Sequence, residues 1–327
     1  LVPSYLDLLE SGELERRVEA LVALLAQCRV CPRNCRSKRL QDGRGACETG
    51  RAAEVASWCV HRGEEPCISG SRGSGTVFFA HCNLKCIFCQ NYQISQEWPG
   101  GEGAVTAGRL ADIYLDLQEA GAHNLNWVSP SHVVPQAAEA LLLAARRGLK
   151  IPVVYNSNGY DSVEVLRLLD GVVDVYMPDL KYGDDASADE LSYALGYVPN
   201  AHAALAEMWR QVGKLELDTG GVALRGLLVR HLVLPNGLSG AQAVLRFLAE
   251  DLSPDVAVSL MAQYYPRFKA MEHPLLARKV GRGEYARAVR TLEALGFTEG
   301  YVQAHSSAEY YLPDFDEDGH PFEVSGK

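Results

Sequence analysis

The last 238 residues of this 327-residue chain contain no cysteine. All nine, Cys28, Cys31, Cys35, Cys47, Cys59, Cys67, Cys82, Cys86 and Cys89, lie within the first 89 positions. Thiols kept for packing would be scattered through a core, and an odd number without a secretion signal makes no disulfide framework. Long apolar runs are also missing. None approaches the roughly 18 residues of a membrane span, and no signal peptide precedes Ser4-Tyr5-Leu6. A cytoplasmic setting without a membrane partner is therefore expected. Positive charge is short, with 31 Lys+Arg against 41 Asp+Glu and a net charge of −10, which argues against a general nucleic-acid binder.

Several catalytic and binding motifs are missing too. There is no Walker loop, no Gly-x-Ser-x-Gly and no His-Glu-x-x-His. The glycines from Gly70 to Gly75 precede a strand pattern instead of following one, which excludes a dinucleotide loop. Asp314-x-Asp316-x-Asp318-Gly319 copies the start of a calcium loop, but its twelfth position is Ser325 rather than Glu.

What is present is enough for a folded protein: 47% hydrophobic and 22% charged residues exclude wholesale disorder, and the length suits one large domain plus a smaller one. Leu14, Val18, Leu21, Val22 and Leu25 give residues 5–26 a helical period, interrupted at Gly12. From Gln27 to about Arg72 the period fades and cysteine, glycine and arginine dominate, as in a segment ordered by metal.

From Thr76 onward strand and helix patterns alternate. Strands are expected at Thr76–Phe79, Leu125–Val128, Ile151–Tyr155, Val172–Met177, Leu227–Leu234 and Val256–Met261. Helices are expected near residues 107–120, 135–147, 162–169, 189–194, 203–212 and 239–249, and again at 283–295. Six β/α units predict a parallel sheet with covering helices. Six are fewer than the eight of a closed barrel, so the fold class read here is α/β, a partial (β/α)6 TIM-type barrel, with a doubly wound open sheet as its rival. A small cysteine-rich metal-binding extension over 1–72, a barrel over 73–270 and a C-terminal helix with a loose polar tail over 271–327 complete the division.

The chemistry concentrates where the first strand ends. Thr76-Val-Phe-Phe-Ala-His-Cys82-Asn-Leu-Lys-Cys86-Ile-Phe-Cys89-Gln-Asn-Tyr carries a CxxxCxxC pattern, with the aromatic Phe88 just before its last cysteine. Three thiolates on one short loop can hold three irons of a [4Fe–4S] cube and leave the fourth without a protein ligand. An open metal position can bind a reactant. Zinc is the alternative and would need a fourth ligand such as His81.

This stretch resembles the cluster loop of radical S-adenosylmethionine (SAM) enzymes, specifically the group related to pyruvate formate-lyase activating enzyme, and within it the uncharacterised PflX-type proteins. The resemblance runs from about Cys28 to Gln263 and includes Gly70-Ser-Arg-Gly-Ser-Gly75-Thr-Val-Phe-Phe. It implies an anaerobic, oxidoreductase-type activity. SAM would chelate the open iron and be cleaved reductively to methionine and a 5′-deoxyadenosyl radical that abstracts a substrate hydrogen. Cys82, Cys86 and Cys89 would be the catalytic cluster ligands. A flavodoxin or ferredoxin would donate electrons, and the substrate could be a protein, with glycyl-radical activation one option.

Polar residues collect at the other strand ends, where α/β barrels place function. They are Asn156-Ser157-Asn158-Gly159, Met177-Pro178-Asp179-Leu180-Lys181, Arg230 and His231 within a strand with Pro235-Asn236-Gly237 after it, and Gln263-Tyr264-Tyr265-Pro266. Asp179 and Lys181 are alternate residues and can face one pocket. By resemblance Asp179 would meet the methionyl ammonium and Lys181 its carboxylate, while Ser157 and Asn158 would help form a monovalent-cation site. Asn156 stands where that pattern has Asp. Where the family has a Gly-Gly-Glu-like turn, this chain has Trp127-Val-Ser129-Pro-Ser131-His132, leaving Ser129, Ser131 or His132 as polar contacts. Phe88, Ser129, Ser157, Asn158, Asp179, Lys181 and Arg230 form the expected cofactor-binding set.

Cys28-x2-Cys31-x3-Cys35-x11-Cys47 offers four further thiolates, a full set for zinc or for an auxiliary [4Fe–4S] cluster. Cys59 and Cys67 have no assigned ligand role. Arg29, Arg33, Arg36, Lys38, Arg39, Arg44 and Arg51 against Asp42 and Glu48 give a local excess of positive charge suited to an acidic partner. The competing function is a non-catalytic two-metal protein that carries electrons or binds a partner.

Overall fold

The computed structural model describes residues 2–100 and 103–305, together with Phe315 and Pro321. Ten strands form one sheet: β1 Ala53–His61, β2 Ser74–Phe79, β3 Ala104–Val105, β4 Leu125–Val128, β5 Val153–Asn156, β6 Val175–Tyr176, β7 Glu216–Leu217, β8 Ala223–Leu232, β9 Ala257–Met261 and β10 Gly300–Val302. Their order is β10-β9-β8-β6-β5-β4-β2-β1-β3, with β7 paired to β8. The run from β2 to β10 is parallel throughout. β1 lies antiparallel to β2, and β3 antiparallel to β1. The order has two free ends, so the sheet is an open, partial barrel.

Every residue of β2, β4 and β5 is buried, as expected of parallel strands covered on both faces. The covering helices follow their sequence signals. Thr106 caps Ala107–Glu119 by accepting the Arg109 N–H at 3.1 Å, and Asp184 caps Asp185–Ser192 through the Ser187 N–H at 2.8 Å. Helix Val134–Arg146 packs between Ala107–Glu119 and Glu13–Ala23, burying most of its small apolar residues. Gly12, at φ 74°, separates the helices Tyr5–Glu10 and Glu13–Ala23.

All six expected β/α units are present, and two features add to them. A seventh parallel strand, β10, follows helix Arg282–Ala294 and pairs with β9. β1 lies inside the stretch whose composition suggested order by metal alone. Residues 1–72 also share the main hydrophobic core, in which Tyr5, Leu14, Val18, Leu21 and Cys28 pack in one cluster with Leu141, Tyr176 and Leu245. The Asp314–Lys327 tail, with Asp314, Asp316, Asp318, Gly319 and Ser325, lies outside the described residues except for Phe315, which packs edge-on against Phe78 at 5.4 Å, and Pro321. No helix among the described residues is long and apolar enough to cross a membrane.

Candidate functional site

β2 ends at Phe79, and the chain turns through His81 in a left-handed conformation, φ 68°. The Ala80 N–H donates to Glu54 O at 2.9 Å and the His81 N–H to Ile94 O at 2.7 Å, which fixes the root of the cysteine loop. Cys82, Cys86 and Cys89 all line one cavity of about 320 Å³ at the C-terminal ends of the parallel strands. Each sulfur has a donor. The Leu84 N–H and Asn158 Nδ2 meet Cys82 Sγ, both at 3.4 Å; the Ser192 hydroxyl donates to Cys86 Sγ at 2.9 Å; Ser95 Oγ lies 3.2 Å from Cys89 Sγ.

Burial raises the pKa of all three thiols, that of Cys86 to about 11, with the Lys181 ammonium pulling against it. Three thiols with directed donors beside a buried cation form a donor set suited to a negatively charged iron–sulfur centre. Among the described residues no three His, Cys, Asp or Glu side chains converge to hold a single ion. A four-iron cube asks only that each sulfur reach a different iron.

The end of β5 is locked to this loop. Asn158 Nδ2 also donates to Asn83 Oδ1 at 2.7 Å, and Asn83 Nδ2 to Tyr160 O at 2.9 Å. Ser157 reaches the cavity wall, but its hydroxyl donates to Asp161 Oδ2 at 2.6 Å, and Tyr155 donates to Asp161 Oδ1 at 2.9 Å. Burial raises the Asp161 pKa, opposed by these donors. The Tyr197 hydroxyl joins the two strand ends. It accepts the Lys181 N–H at 2.9 Å and lies 2.9 Å from Asn158 O and 3.0 Å from Asp179 O.

Gly159 makes that junction possible. At φ +76° it lies where other residues are strained, and a Cβ there would stand 2.6 Å from Asp179 O and 3.0 Å from Tyr197 Oη. Gly159→Ala is expected to destabilise the fold by about 1–3 kcal/mol and to displace Asp179. A lowered urea midpoint would register the first effect; a midpoint unchanged from the parent would contradict it.

Asp179 and Lys181 share the cavity, as their spacing indicates. Lys181 Nζ and Asp179 Oδ2 are 2.6 Å apart. Burial disfavours the Lys181 ammonium, yet Asp179 and Cys86 outweigh it and its pKa is raised. Phe88 is buried on the cavity wall and meets Tyr182 and Tyr264 edge-on at 6.4 and 6.1 Å.

Arg230 lines the cavity inside a buried cluster that the sequence concealed. Its Nε donates to Glu65 Oε1 at 2.9 Å, it pairs with Glu64, and its Nη1 donates to Asn156 Oδ1 at 3.3 Å. Asn156 therefore supplies a neutral acceptor to Arg230. Burial opposes the charges on Glu65 and Arg230, but their attraction wins, so the Glu65 pKa is lowered and the Arg230 pKa raised.

On the second parallel strand end, Ser129 (φ 55°) lines the cavity, and its N–H donates to Asn156 O at 2.8 Å. Ser131 and His132 are buried outside the cavity lining. The His132 Nε2 lies 2.9 Å from Ala80 O, and burial pushes its pKa down to about 3.

Cys28, Cys31 and Cys47 are buried and Cys35 is exposed. The seven surrounding cations are mostly engaged within the protein. Arg39 is buried; Arg51 pairs with Glu139 at 2.7 Å, Arg44 with Glu54 at 3.3 Å and Arg29 with Glu164 at 3.5 Å; Arg33 donates to Tyr193 O at 2.7 Å. Arg29, Arg33 and Arg51 thereby tie this segment to the barrel, while Arg36 and Lys38 are exposed. Cys59 lies on β1 opposite Thr76, and Cys67 is buried beside Tyr301, its thiol pushed up to about 11 by burial.

Residues 76–207 match the family model of the radical SAM superfamily. That match supports the radical SAM superfamily for this chain. Over 297 residues the chain is 29% identical to an uncharacterised protein of Methanocaldococcus jannaschii, covering 88% of this chain and 80% of the relative. Among solved structures, a radical SAM methyltransferase from Sphaerobacter thermophilus is similar with a TM-score of 0.49 and 16% identity, over 70% of this chain and 66% of that one. HydG, a maturase of the [FeFe]-hydrogenase, has a TM-score of 0.45 and 14% identity, over 68% of this chain and 50% of HydG. The chain thus spans just under two thirds of the methyltransferase and half of HydG. Radical SAM proteins are enzymes that cleave SAM at an iron–sulfur cluster, and the Cys82 loop opens the matched segment.

Proposed function

We propose that this chain is a radical SAM enzyme whose cluster is held by Cys82, Cys86 and Cys89. The observation that carries this reading is that the three thiols and the Asp179–Lys181 pair line one cavity at the strand ends. A bound cluster would supply the electron that splits SAM into methionine and a 5′-deoxyadenosyl radical for hydrogen abstraction. The chain's own residues bind, orient and exclude water. Asp179 and Lys181 satisfy each other at 2.6 Å. The methionyl end of SAM carries an ammonium and a carboxylate, so exchanging one internal pair for two external ones keeps the charge balanced.

Ser129 and Phe88 complete the cofactor contacts in this reading, and Asn158 holds the Cys82 sulfur. Arg230 acts from within its Glu64–Glu65 cluster, fixing the cavity floor. Ser157, Asn158 and neighbouring carbonyls are the candidates for a monovalent cation. Phe79, Val128, Leu232 and Met261 supply apolar wall that limits water.

The resemblance of residues 70–92 favours the activating-enzyme-like group and its PflX-type branch. A flavodoxin or ferredoxin is then the electron donor, and glycyl-radical activation of a protein is the narrower form of the reading. Cys28, Cys31, Cys35 and Cys47 are assigned to a second metal centre. Anaerobically reconstituted protein given dithionite and SAM is expected to release 5′-deoxyadenosine. A verified cluster with no release would overturn the proposal.

A further inference from the structure

Arg39 carries a charge that no carboxylate among the described residues meets. It is fully buried. Its Nε donates to Gly50 O at 3.0 Å, its Nη1 donates to His132 O at 2.7 Å and lies 3.8 Å from Cys28 Sγ, and its Nη2 has no hydrogen-bond partner among the described residues. These partners are neutral carbonyls and one sulfur. A buried guanidinium persists where an opposite charge offsets its lost hydration.

The sulfur belongs to a group. Cys31 lies within electrostatic reach of Cys47, Cys28 and Cys35, and Cys35 lies beside Cys28. The backbone amides of Val30, Arg33, and Ser37 with Ala46 lie beside the sulfurs of Cys28, Cys31 and Cys35 respectively. Ser37 Oγ is a further 3.4 Å neighbour of Cys35 Sγ. The backbone at Gly45 comes so close that a Cβ would stand 2.4 Å from Cys35 Sγ. Donors directed at sulfur stabilise thiolates and metal-bound thiolates. Among the described groups that touch Arg39, the Cys28 sulfur is the one able to carry a negative charge.

We propose that Cys28, Cys31, Cys35 and Cys47 hold a four-iron centre of net negative charge, with Arg39 as its buried counter-ion. This rests on the assignment of a second metal centre above and is independent of how the Cys82 loop is used. An oxidised four-iron core carries two positive charges, so four thiolates around it leave a negative excess, and each sulfur need only reach a different iron. Arg39 also places the centre. Its bond to His132 O leads to the ring that meets Ala80 O at 2.9 Å, two residues before Cys82, and Arg33 donates to Asn83 O. The second centre thereby braces the loop that carries Cys82, Cys86 and Cys89.

The full-length triple variant Cys82→Ala/Cys86→Ala/Cys89→Ala removes the first site and isolates the second. Purified anaerobically, it should retain about four iron and four sulfide per chain. Less than about a tenth of that iron in folded protein overturns the site. Should the triple variant not fold, the reconstituted parent decides: iron of about eight supports the centre, and four iron, alone or with one zinc, overturns it.

Arg39→Lys and Arg39→Gln then separate charge from shape through the rate of metal loss to a chelator. Arg39→Lys should retain metal nearly as the parent does, and Arg39→Gln should lose it about 10–100-fold faster. Equal retention in both variants, or equal loss, would overturn the counter-ion role.

Discussion

Replacing Cys86 with alanine is expected to abolish 5′-deoxyadenosine release. Cys86 is the most enclosed of the three loop cysteines, with Ser192 donating to its sulfur at 2.9 Å and Lys181 contributing the nearest positive influence. Two thiolates cannot hold a cube against solvent as three do, so both cluster content and turnover should fall to background. Cys86→Ser keeps the volume and the hydrogen bond to Ser192 but replaces a soft ligand with a hard one, and the same loss is expected. Circular dichroism should show the fold intact in both. Iron and sulfide content near that of the parent, with product still formed, would remove Cys86 from the site.

Loading of the parent should also depend on pH. Burial raises the pKa of all three thiols, that of Cys86 to about 11, so iron must displace their protons. Cluster assembly is therefore expected to be faster at about pH 8.5 than at about pH 6.5.

The second large effect concerns the charge pair. Asp179→Asn and Lys181→Met are each expected to weaken SAM binding about 10–150-fold, the value of losing a charged hydrogen bond worth about 1.5–3 kcal/mol. Lys181→Met should be the more damaging, because it leaves the Asp179 carboxylate in a cavity already holding Glu64 and Glu65. The two groups are 2.6 Å apart, so their effects should not add. The double variant should bind SAM more tightly than the sum of the single losses allows, with a coupling of about 0.5–3 kcal/mol. Equilibrium binding of SAM to the four proteins measures this. Parent-like affinity in Lys181→Met would place the methionyl end elsewhere.

The features legible in the sequence were the local ones. The cysteine loop is contiguous, and Asp179 and Lys181 needed only the alternation of a strand. The six β/α units announced themselves through runs such as Leu125–Val128, buried at every position. β1 was hidden because its residues, among them Ala, Glu, Ser, Trp, Cys and His, carry no clean alternation and lie inside a segment rich in arginine and cysteine. β10 was hidden because three residues beginning with Gly carry no period, and only its pairing with β9 makes it a strand.

The Glu64–Glu65–Arg230 cluster joins residues 165 and 166 positions apart, a separation that no motif spans. Arginine reads as surface charge in a sequence, so the burial of Arg39 and the pairing of Arg29, Arg44 and Arg51 with Glu164, Glu54 and Glu139 were not legible there. His132, a candidate contact by position, is turned away by its 2.9 Å approach to Ala80 O.

The most direct test of the central claim is the electron spin-resonance spectrum of the reduced protein before and after SAM is added. Cys82, Cys86 and Cys89 leave one iron of a cube without a protein ligand, beside Asp179 and Lys181 in the same cavity. Binding of SAM to that iron should change the g-values of the signal. The change should be lost in Lys181→Met at SAM concentrations that saturate the parent. A spectrum unchanged by saturating SAM would contradict the assignment and favour a centre that only carries electrons.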